Sequence, residues 1–445
     1  MRVVIVGAGE VGFNAARLLS EEGNDVVIID QDEALVAFAT EQLDALVMQG
    51  NGATPKVLRE AGIKKSDFLV AATSSDEANI ISCLSAKAQK VPHTAARIHN
   101  PDYYDSSEPF AQDSLGIDFV IHTERMAVEE IKETILVPGA VNVETFAGGR
   151  VQVAEVILEE DSLAAGRAVR DVGLPERSLI IGGVRNGEVL MSRGDTVLQV
   201  GDHIFLISER KHVSEVVSTM TTNTTPVREV TIFGGGRIGL RLALALEQTN
   251  LAVKVIEKDE AQARHVASHL KKGLVLHEEG ISRDFLRQER VDRTDAFVAV
   301  TGDDRANLLA AMYARQLGAS LTIAGLARGE FAPLADALGV DITISPRLLA
   351  AGAISRFVRQ GKNVVAVTLL ESGARMMEMR VPERGQIAGR PLSEASFPKG
   401  SIVGMVVRGG ETFIPRGKDV LEPGDEVVMF TVEAKVAKVE RMFAP

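Results

Sequence analysis

Two stretches decide how this chain is read: VVIVGAGEVG at residues 3–12 and VTIFGGGRIG at residues 230–239. Each is a four-residue apolar run followed by Gly-x-Gly-x-x-Gly, and Gly7, Gly9 and Gly12 recur as Gly234, Gly236 and Gly239, displaced by 227 positions. A lone glycine string of this kind is compatible with a turn that holds nothing. Here both strings follow a strand-like run and open a helical stretch. In that context the first glycine permits a tight turn, the second lets the backbone approach a pyrophosphate, and the third lets helix and strand pack closely. The free N–H groups and positive end of the helix then face the phosphates. Gly7, Ala8, Gly9, Glu10, Val11 and Gly12 are therefore one candidate phosphate loop, and Gly234, Gly235, Gly236, Arg237, Ile238 and Gly239 a second.

The repeat continues outward from these loops. Asp30 in VVIIDQD meets Glu257 in VKVIEKD at the same displacement of 227, and Thr73, Asp76 and Asn79 meet Thr301, Asp304 and Asn307 at 228. GIDFVI at Gly116 matches GVDITI at Gly339, and SRGDTVLQVGD at Ser192 matches PRGKDVLEPGD at Pro415, both at 223. So small a drift means two copies of one module with short loop deletions. The first part of each copy alternates β-branched runs with helical stretches, which predicts an α/β, Rossmann-like, doubly wound parallel sheet. In copy one the strands fall near Val3, Val26, Leu46, Phe68, Ala95 and Phe119. Thr54 before Pro55 predicts a capped helix start, closed by Gly62. The second part of each copy, from about Gly139 and again from about Gly361, carries the turn pairs Asn186-Gly187 and Gly409-Gly410 and reads as a small, β-rich α+β subdomain.

Between the two parts lies an amphipathic helix with Ala127, Ile131, Thr134 and Ile135 on one face, matched by Ala350, Ile354, Phe357 and Val358, a packing or dimerisation element. The stretch TMTTNTTP from Thr219 to Pro226 reads as a linker between copies. The expected division is a first lobe at 1–122, crossover helix 123–138, subdomain 139–220, linker 221–227, second lobe 228–345, crossover helix 346–360 and second subdomain 361–445.

Bulk numbers bound the function. A chain of 445 residues, 45% hydrophobic, supports several cores. Its 49 Lys plus Arg against 61 Asp plus Glu give a net charge of −12, a field that repels a nucleic-acid backbone. Cys83 is the single cysteine, so an internal disulfide and a Cys-based structural zinc site are excluded, and a reducing compartment suits the chain. No export leader is expected, because Met1 runs straight into Val3–Val6. Apolar runs fall short of the roughly 18 residues a membrane span needs, so membrane association is expected through a partner or a surface patch.

Asp30 and Glu257 end the strands after the glycine loops, where a carboxylate accepts hydrogen bonds from ribose hydroxyls; a 2′-phosphate there meets like charge, which disfavours NADP. Asp32 and Asp259, two residues on, read as helix N-caps, as do Asp76 and Asp304. Thr73 and Ser74, with Thr301 and Gly302 in copy two, stand at the carboxyl end of the fourth strand, the edge where open α/β sheets bind ligands. Arg97, inside the fifth strand, requires an anion, which either a phosphate or a nearby carboxylate supplies. Copy two has Gly325 at that place, and Arg237, where copy one has Glu10, is a candidate for the missing positive charge. None of the eight histidines (residues 93, 99, 122, 203, 212, 265, 269 and 277) falls on another when displaced by the repeat, and HExxH and Gly-x-Ser-x-Gly strings are absent. These residues point to sensing of a nucleotide without its transformation. An NAD-dependent oxidoreductase with a duplicated lobe is the alternative, and a free-standing redox sensor a third reading.

In their order, VGAGEVG at Val6, VVIID ending at Asp30, AATSSDEAN at Ala71, RIHNPDYY at Arg97, VTIFGGGRIG and the paired RG..V....GD elements resemble the TrkA family of Trk potassium-uptake regulators, bacterial cytosolic subunits built from two RCK (KTN) units in tandem. The resemblance spans essentially the whole chain. It implies a peripheral protein on the inner face of the membrane, assembled as a ring (a tetramer or a dimer of dimers) beneath a polytopic potassium-translocating subunit. It also implies NAD(H) or ATP/ADP as regulatory ligand. On it, Gly7 to Val11, Asp30, Thr73, Ser74 and Arg97 would hold one ligand, and Gly234 to Ile238 with Glu257 another. Family members often carry a Gly-Asp pair after the third strand; here Gly50-Asn51 and Glu278-Glu279 stand instead, so the second site is expected to differ in affinity or ligand.

Overall fold

The computed structural model describes residues 1–103, 115–222, 225–278, 282–359, 364–369 and 373–444. The run Val3 to Val6 is buried throughout, as a strand covered by helices on both faces demands. It forms β1 (Arg2–Val6), followed by β2 (Asp25–Asp30), β3 (Leu46–Gln49), β4 (Phe68–Ala71), β5 (His93–Arg97) and β6 (Phe119–Ile121). Their order in the sheet is β3-β2-β1-β4-β5-β6, all parallel. The connecting helices are α1 (Glu10–Glu21), α2 (Glu33–Gln42), α3 (Pro55–Glu60) and α4 (Asp76–Ala88). Strand order reverses between β1 and β4, and a crevice opens at the carboxyl ends of strands at such a switch point. All six strands stand where the sequence places them. Thr54 precedes α3, but its hydroxyl donates to the Asn51 carbonyl at 2.8 Å instead of capping the helix; Gly62, at φ +78°, closes it as expected.

The chain continues through α5 (Thr123–Leu136) into the antiparallel strands β7 (Asn142–Phe146), β8 (Val151–Ile157), β9 (Ser178–Arg185), β10 (Glu188–Leu190) and β11 (His203–Glu209), then α6 (Val213–Ser218). Copy two repeats the plan with β12 (Glu229–Phe233), α7 (Arg237–Glu247), β13 (Ala252–Glu257), α8 (Glu260–His269), β14 (Leu274–His277), α9 (Arg283–Gln288), β15 (Ala296–Ala299), α10 (Asp304–Leu317), β16 (Leu321–Gly325), α11 (Ala332–Ala337) and β17 (Ile342–Ile344). Its sheet order, β14-β13-β12-β15-β16-β17, is that of the first lobe. After α12 (Pro346–Arg359) come β18 (Val364–Leu369), β19 (Ala374–Arg380), β20 (Ser401–Arg408), β21 (Glu411–Phe413), β22 (Glu426–Val432) and α13 (Val436–Met442).

Packing does not follow chain order. Residues 1–131 and 228–358 form one compact unit, and residues 132–227 and 359–445 another. In the first unit, Ala350, Ala351, Ile354, Phe357 and Val358 of α12 enter the core built by Val3, Ile5, Phe68 and Val70 of the first lobe. The Phe357 ring stacks on Phe119 at 5.0 Å and meets Phe68 edge-on at 5.6 Å. Ser355 on the same helix donates to the Glu22 carboxylate at 2.7 Å. The apolar face of α12 is thus an internal packing element that completes the other copy's lobe, and burying a Phe of this kind contributes about 1.5–3 kcal/mol.

In the second unit the two five-stranded sheets have equivalent orders, β10-β9-β11-β8-β7 and, read from the far edge, β21-β20-β22-β19-β18. They share a core of Phe146, Val153 and Phe205 with Met376, Met405 and Phe430. At Gly182 a Cβ would fall 2.7 Å from the Phe430 ring, so glycine there is what lets the sheets approach. Burial pushes the Glu378 carboxyl up, although it accepts the Ala147 N–H at 3.0 Å. Both hairpin turns take the left-handed backbone expected of them, with Asn186 and Gly187 at φ +53° and +79° and Gly409 and Gly410 at +57° and +91°. Met220, just after α6, is fully buried in the first subdomain's core. Among the described residues, no helix is long and apolar enough to cross a membrane.

Candidate functional site

At the carboxyl ends of β1, β2, β4 and β5 lies a cavity of ≈ 630 Å³, within the roughly 300–1,000 Å³ range of small-molecule pockets. Gly7, Gly9, Glu10, Val11, Asp30, Asn51, Thr73, Ser74 and Arg97 line it, together with Arg347 from α12. Gly7 turns the chain at φ +106°, and a Cβ there would press to 2.9 Å on the backbone of Ala72 and Thr73. At Gly12 a Cβ would come within 1.9 Å of the Gly7 carbonyl oxygen, so α1 rests directly on the turn. Nothing lies within 4 Å of a Cβ built on Gly9, so the backbone there faces open space, as a close-approaching pyrophosphate requires. Gly9 is also the N-cap of α1 and offers no side chain to the first-turn N–H groups.

Ala8 and Gly12 shape the loop from beneath and do not line the cavity. The Ala8 N–H donates to Asp30 Oδ2 at 2.6 Å and the Asp32 N–H to Asp30 Oδ1 at 2.9 Å. These bonds fix the carboxylate and leave each oxygen further acceptor capacity for a ribose hydroxyl. Asp32 caps α2 as the sequence indicates, accepting from Ala34 and Leu35, and Asp259 caps α8, accepting from Gln262. Arg97 ends β5 half-buried, and its buried Nε has no hydrogen-bond partner among the described residues. Burial pushes its pKa down; Glu124 opposes this, and the like charges of Arg347 and Arg237 add to it. A guanidinium with an unpartnered buried Nε beside an open glycine loop fits a phosphorylated ligand.

Asp76 and Asp304 are not helix caps. Ser75 and Asp303 occupy those positions, and the two aspartates sit one residue inside α4 and α10, nearly buried. The Asp76 carboxylate accepts the N–H groups of His99 and Asn100, both at 3.0 Å or less, and Asp304 accepts those of Ala327 and Arg328. Burial alone would raise the Asp76 carboxyl, but these hydrogen bonds and the His99 ring outweigh it and hold it below its ordinary value. Fully buried Asn79 completes the brace. Its Oδ1 accepts the Thr73 N–H and hydroxyl at 2.9 and 2.7 Å, while its Nδ2 donates to the Arg97 carbonyl at 2.8 Å. Thr73 is thus tied to the frame, whereas Ser74 is exposed at the rim. The roles of Asn79 and Asp76 escaped sequence reasoning, although their recurrence in the repeat was the signal. Arg347 carried no such signal, because its counterpart in copy one is Glu124.

The second lobe keeps the frame. Gly234 stands at φ +107°, a Cβ on Gly239 would meet the Gly234 oxygen at 1.8 Å, and Gly236 faces open space. Glu257, nearly buried, accepts the N–H of Gly235 at 2.6 Å and that of Asp259 at 2.9 Å, and Asn307 accepts the Thr301 N–H and hydroxyl at 2.8 and 2.6 Å. The filling differs. The Gln262 amide donates to the Gly235 carbonyl at 2.7 Å, where copy one offers Leu35. Gly325 replaces Arg97, and Glu278 replaces Gly50; Glu279 lies outside the described residues. Arg237 opens α7 with Ile238 next to it, and its guanidinium lies 3.5 Å from Glu124 of the first copy's crossover helix.

The TrkA-N domain family matches residues 3–123 and 230–346, and the TrkA-C domain family matches residues 153–220 and 376–444. The Trk system potassium uptake protein TrkA homolog 1 of Methanosarcina mazei is 33% identical over 452 residues, covering 100% of both chains. The Trk system potassium uptake protein TrkA of Azorhizobium caulinodans is 33% identical over 453 residues, covering 100% of this chain and 98% of its own. The solved GsuK channel bound to NAD shares the fold with a TM-score of 0.64 at 18% identity, over 99% of this chain and 78% of that one. With both domains present twice and relatives aligned from end to end, the chain belongs to the TrkA family.

Proposed function

We propose that this chain is a nucleotide-sensing regulatory subunit, not an enzyme, which gates a polytopic potassium-translocating protein from the inner face of the membrane. The observation that carries the reading is the first cleft, where an open glycine turn, a fixed acid and an arginine with an unpartnered buried Nε converge on one cavity. NAD(H) or ATP/ADP is the regulatory ligand: backbone N–H groups from Gly9 to Val11 and the Arg97 guanidinium would hold its phosphates, Asp30 its ribose, and Ser74 would border it. The names of the relatives, which belong to potassium uptake, and the NAD-bound state of a channel of the same fold support the assignment. Asp30, Asp32 and Asp76 all hold backbone N–H groups, which favours a binding role over proton transfer.

A ligand shifts a gate only by the difference in its affinity for two arrangements of the protein. The first cleft draws its lining from both copies through Arg347, so its contacts change with the seating of α12. A ring of chains, a tetramer or a dimer of dimers, would relay that change to the membrane partner. Calorimetric titration with NAD, NADH, ADP and ATP, paired with potassium flux through a co-reconstituted Trk-type transporter, tests the reading. We expect at least one nucleotide to bind, Asp30→Ala to weaken it roughly tenfold, and saturation to change the flux. Absence of binding, binding without a change in flux, or steady consumption of NADH would overturn it.

A further inference from the structure

Positions 10 and 237 are equivalent in the two copies, and so are positions 124 and 347. In the first unit these four residues form two reciprocal pairs, Arg347 Nη1 with Glu10 Oε1 at 3.7 Å and Arg237 Nη1 with Glu124 Oε1 at 3.5 Å. Each pair joins the residue that opens the helix after a glycine loop to the start of the other copy's crossover helix. The charges are exchanged between the pairs. The first loop carries the anion and receives a cation, while the second carries the cation and receives an anion.

The consequence falls on the clefts. Arg347 lines the first cavity beside Arg97, whereas its counterpart Glu124 pairs with Arg237 of the second glycine loop and also acts on Arg97. Glu10 sits at the positive end of α1, the place a phosphate would occupy, and it is about half exposed, as is Arg347. An exposed ion pair of this length is weak and exchanges readily with a stronger acceptor. A phosphate beside Gly9 is such an acceptor, because an arginine binds its oxygens through charge-assisted, forked hydrogen bonds.

We propose that Arg347 is a phosphate-binding residue of the first cleft, which leaves Glu10 for the ligand's phosphates, so that the second copy's crossover helix supplies a contact to the nucleotide held by the first copy. Glu124 in the equivalent place disfavours a phosphate chain in the second cleft. The inference rests on the reading that the first cleft takes a nucleotide. It goes further in making affinity rise with phosphate charge and in making Glu10 an internal competitor of the ligand.

Calorimetry on the full chain with adenosine, AMP, ADP and ATP tests it, using the wild type, Arg347→Gln, Arg347→Lys and Glu10→Gln. We expect Arg347→Gln to weaken ADP and ATP by roughly tenfold or more and adenosine hardly at all, with Arg347→Lys in between. Glu10→Gln should tighten ADP and ATP. The opposite signs carry the test, since a merely structural ion pair is broken equally by either glutamine and both variants would then shift affinity in the same direction. Equal shifts, or an Arg347→Gln protein that binds ADP and ATP as the wild type does, overturn the proposal while leaving the cleft's function standing. A wild type that binds none of the four overturns the proposal too, and one that in addition binds neither NAD nor NADH removes the cleft's function.

Discussion

The two clefts share a frame and differ in what the frame presents. Their glycine turns stand at φ +106° and +107°, their acids accept the next loop N–H at 2.6 Å in both, and Asn79 and Asn307 tie the fourth strand of each sheet to its fifth. Four of the positions lining the first cleft have diverged in the second copy: Arg97 against Gly325, Leu35 against Gln262, Glu10 against Arg237, and Arg347 against Glu124. The turn and the brace answer to backbone sterics and buried polar groups, which admit few residues. The four diverged positions are free of those backbone constraints and set what each cleft presents to a ligand. A repeated fold is therefore no argument for a repeated site.

The largest effect we expect breaks the idea that each lobe stands alone. Phe357→Ala, a change in copy two, should cost about 3–5 kcal/mol of stability and lower hydrogen-exchange protection in β1, β4 and β6 of copy one more than in β12–β17. Equal loss in both sheets would contradict the seating of α12 in the first core.

Next, Arg97→Gln should weaken nucleotide binding roughly 10- to 100-fold, the range for a hydrogen bond to a charged group, while Glu257→Ala leaves the same affinity within about twofold. A sharper form of the comparison uses the braces. Asn79→Ala and Asn307→Ala each strand buried partners and should cost about 1–3 kcal/mol, measured by urea unfolding, yet only Asn79→Ala should also weaken the nucleotide.

The smallest effect separates the two β-rich subdomains. Lys211, Thr412 and Arg177 hold the Glu209 carboxyl down to about 2 from an ordinary 4.5, against the opposing effect of burial, whereas copy two has Val432 in that position. Because the folded pKa lies below the unfolded one, the stabilisation is present above pH 4.5 and is lost as pH falls toward about 2. Glu209→Gln should therefore destabilise the protein at pH 7 and flatten the pH dependence of urea unfolding below 4.5. A variant with unchanged acid sensitivity would remove Glu209 from the account.

Where structure follows local chemistry, the sequence was legible. The six strands of the first lobe, the Asp32 and Asp259 caps and the two left-handed hairpin turns come from periodicity, capping preference and turn residues. Asp76 and Asp304 misled because an aspartate at a helix start fits a cap equally well one residue earlier, and only the fold shows which N–H groups its oxygens meet. The apolar face of α12 announced burial without naming a partner, since amphipathicity defines a stripe and not what covers it. Arg347 stayed hidden because the first cleft borrows it from the far copy, where no local motif surrounds it.

The stoichiometry of ADP and of NAD titrated into the full-length chain tests the central claim most directly. One site per chain is expected, weakened roughly 10- to 100-fold in Arg97→Gln and retained in Glu257→Ala. Two sites of equal affinity, or a single site lost in Glu257→Ala and retained in Arg97→Gln, would contradict the account.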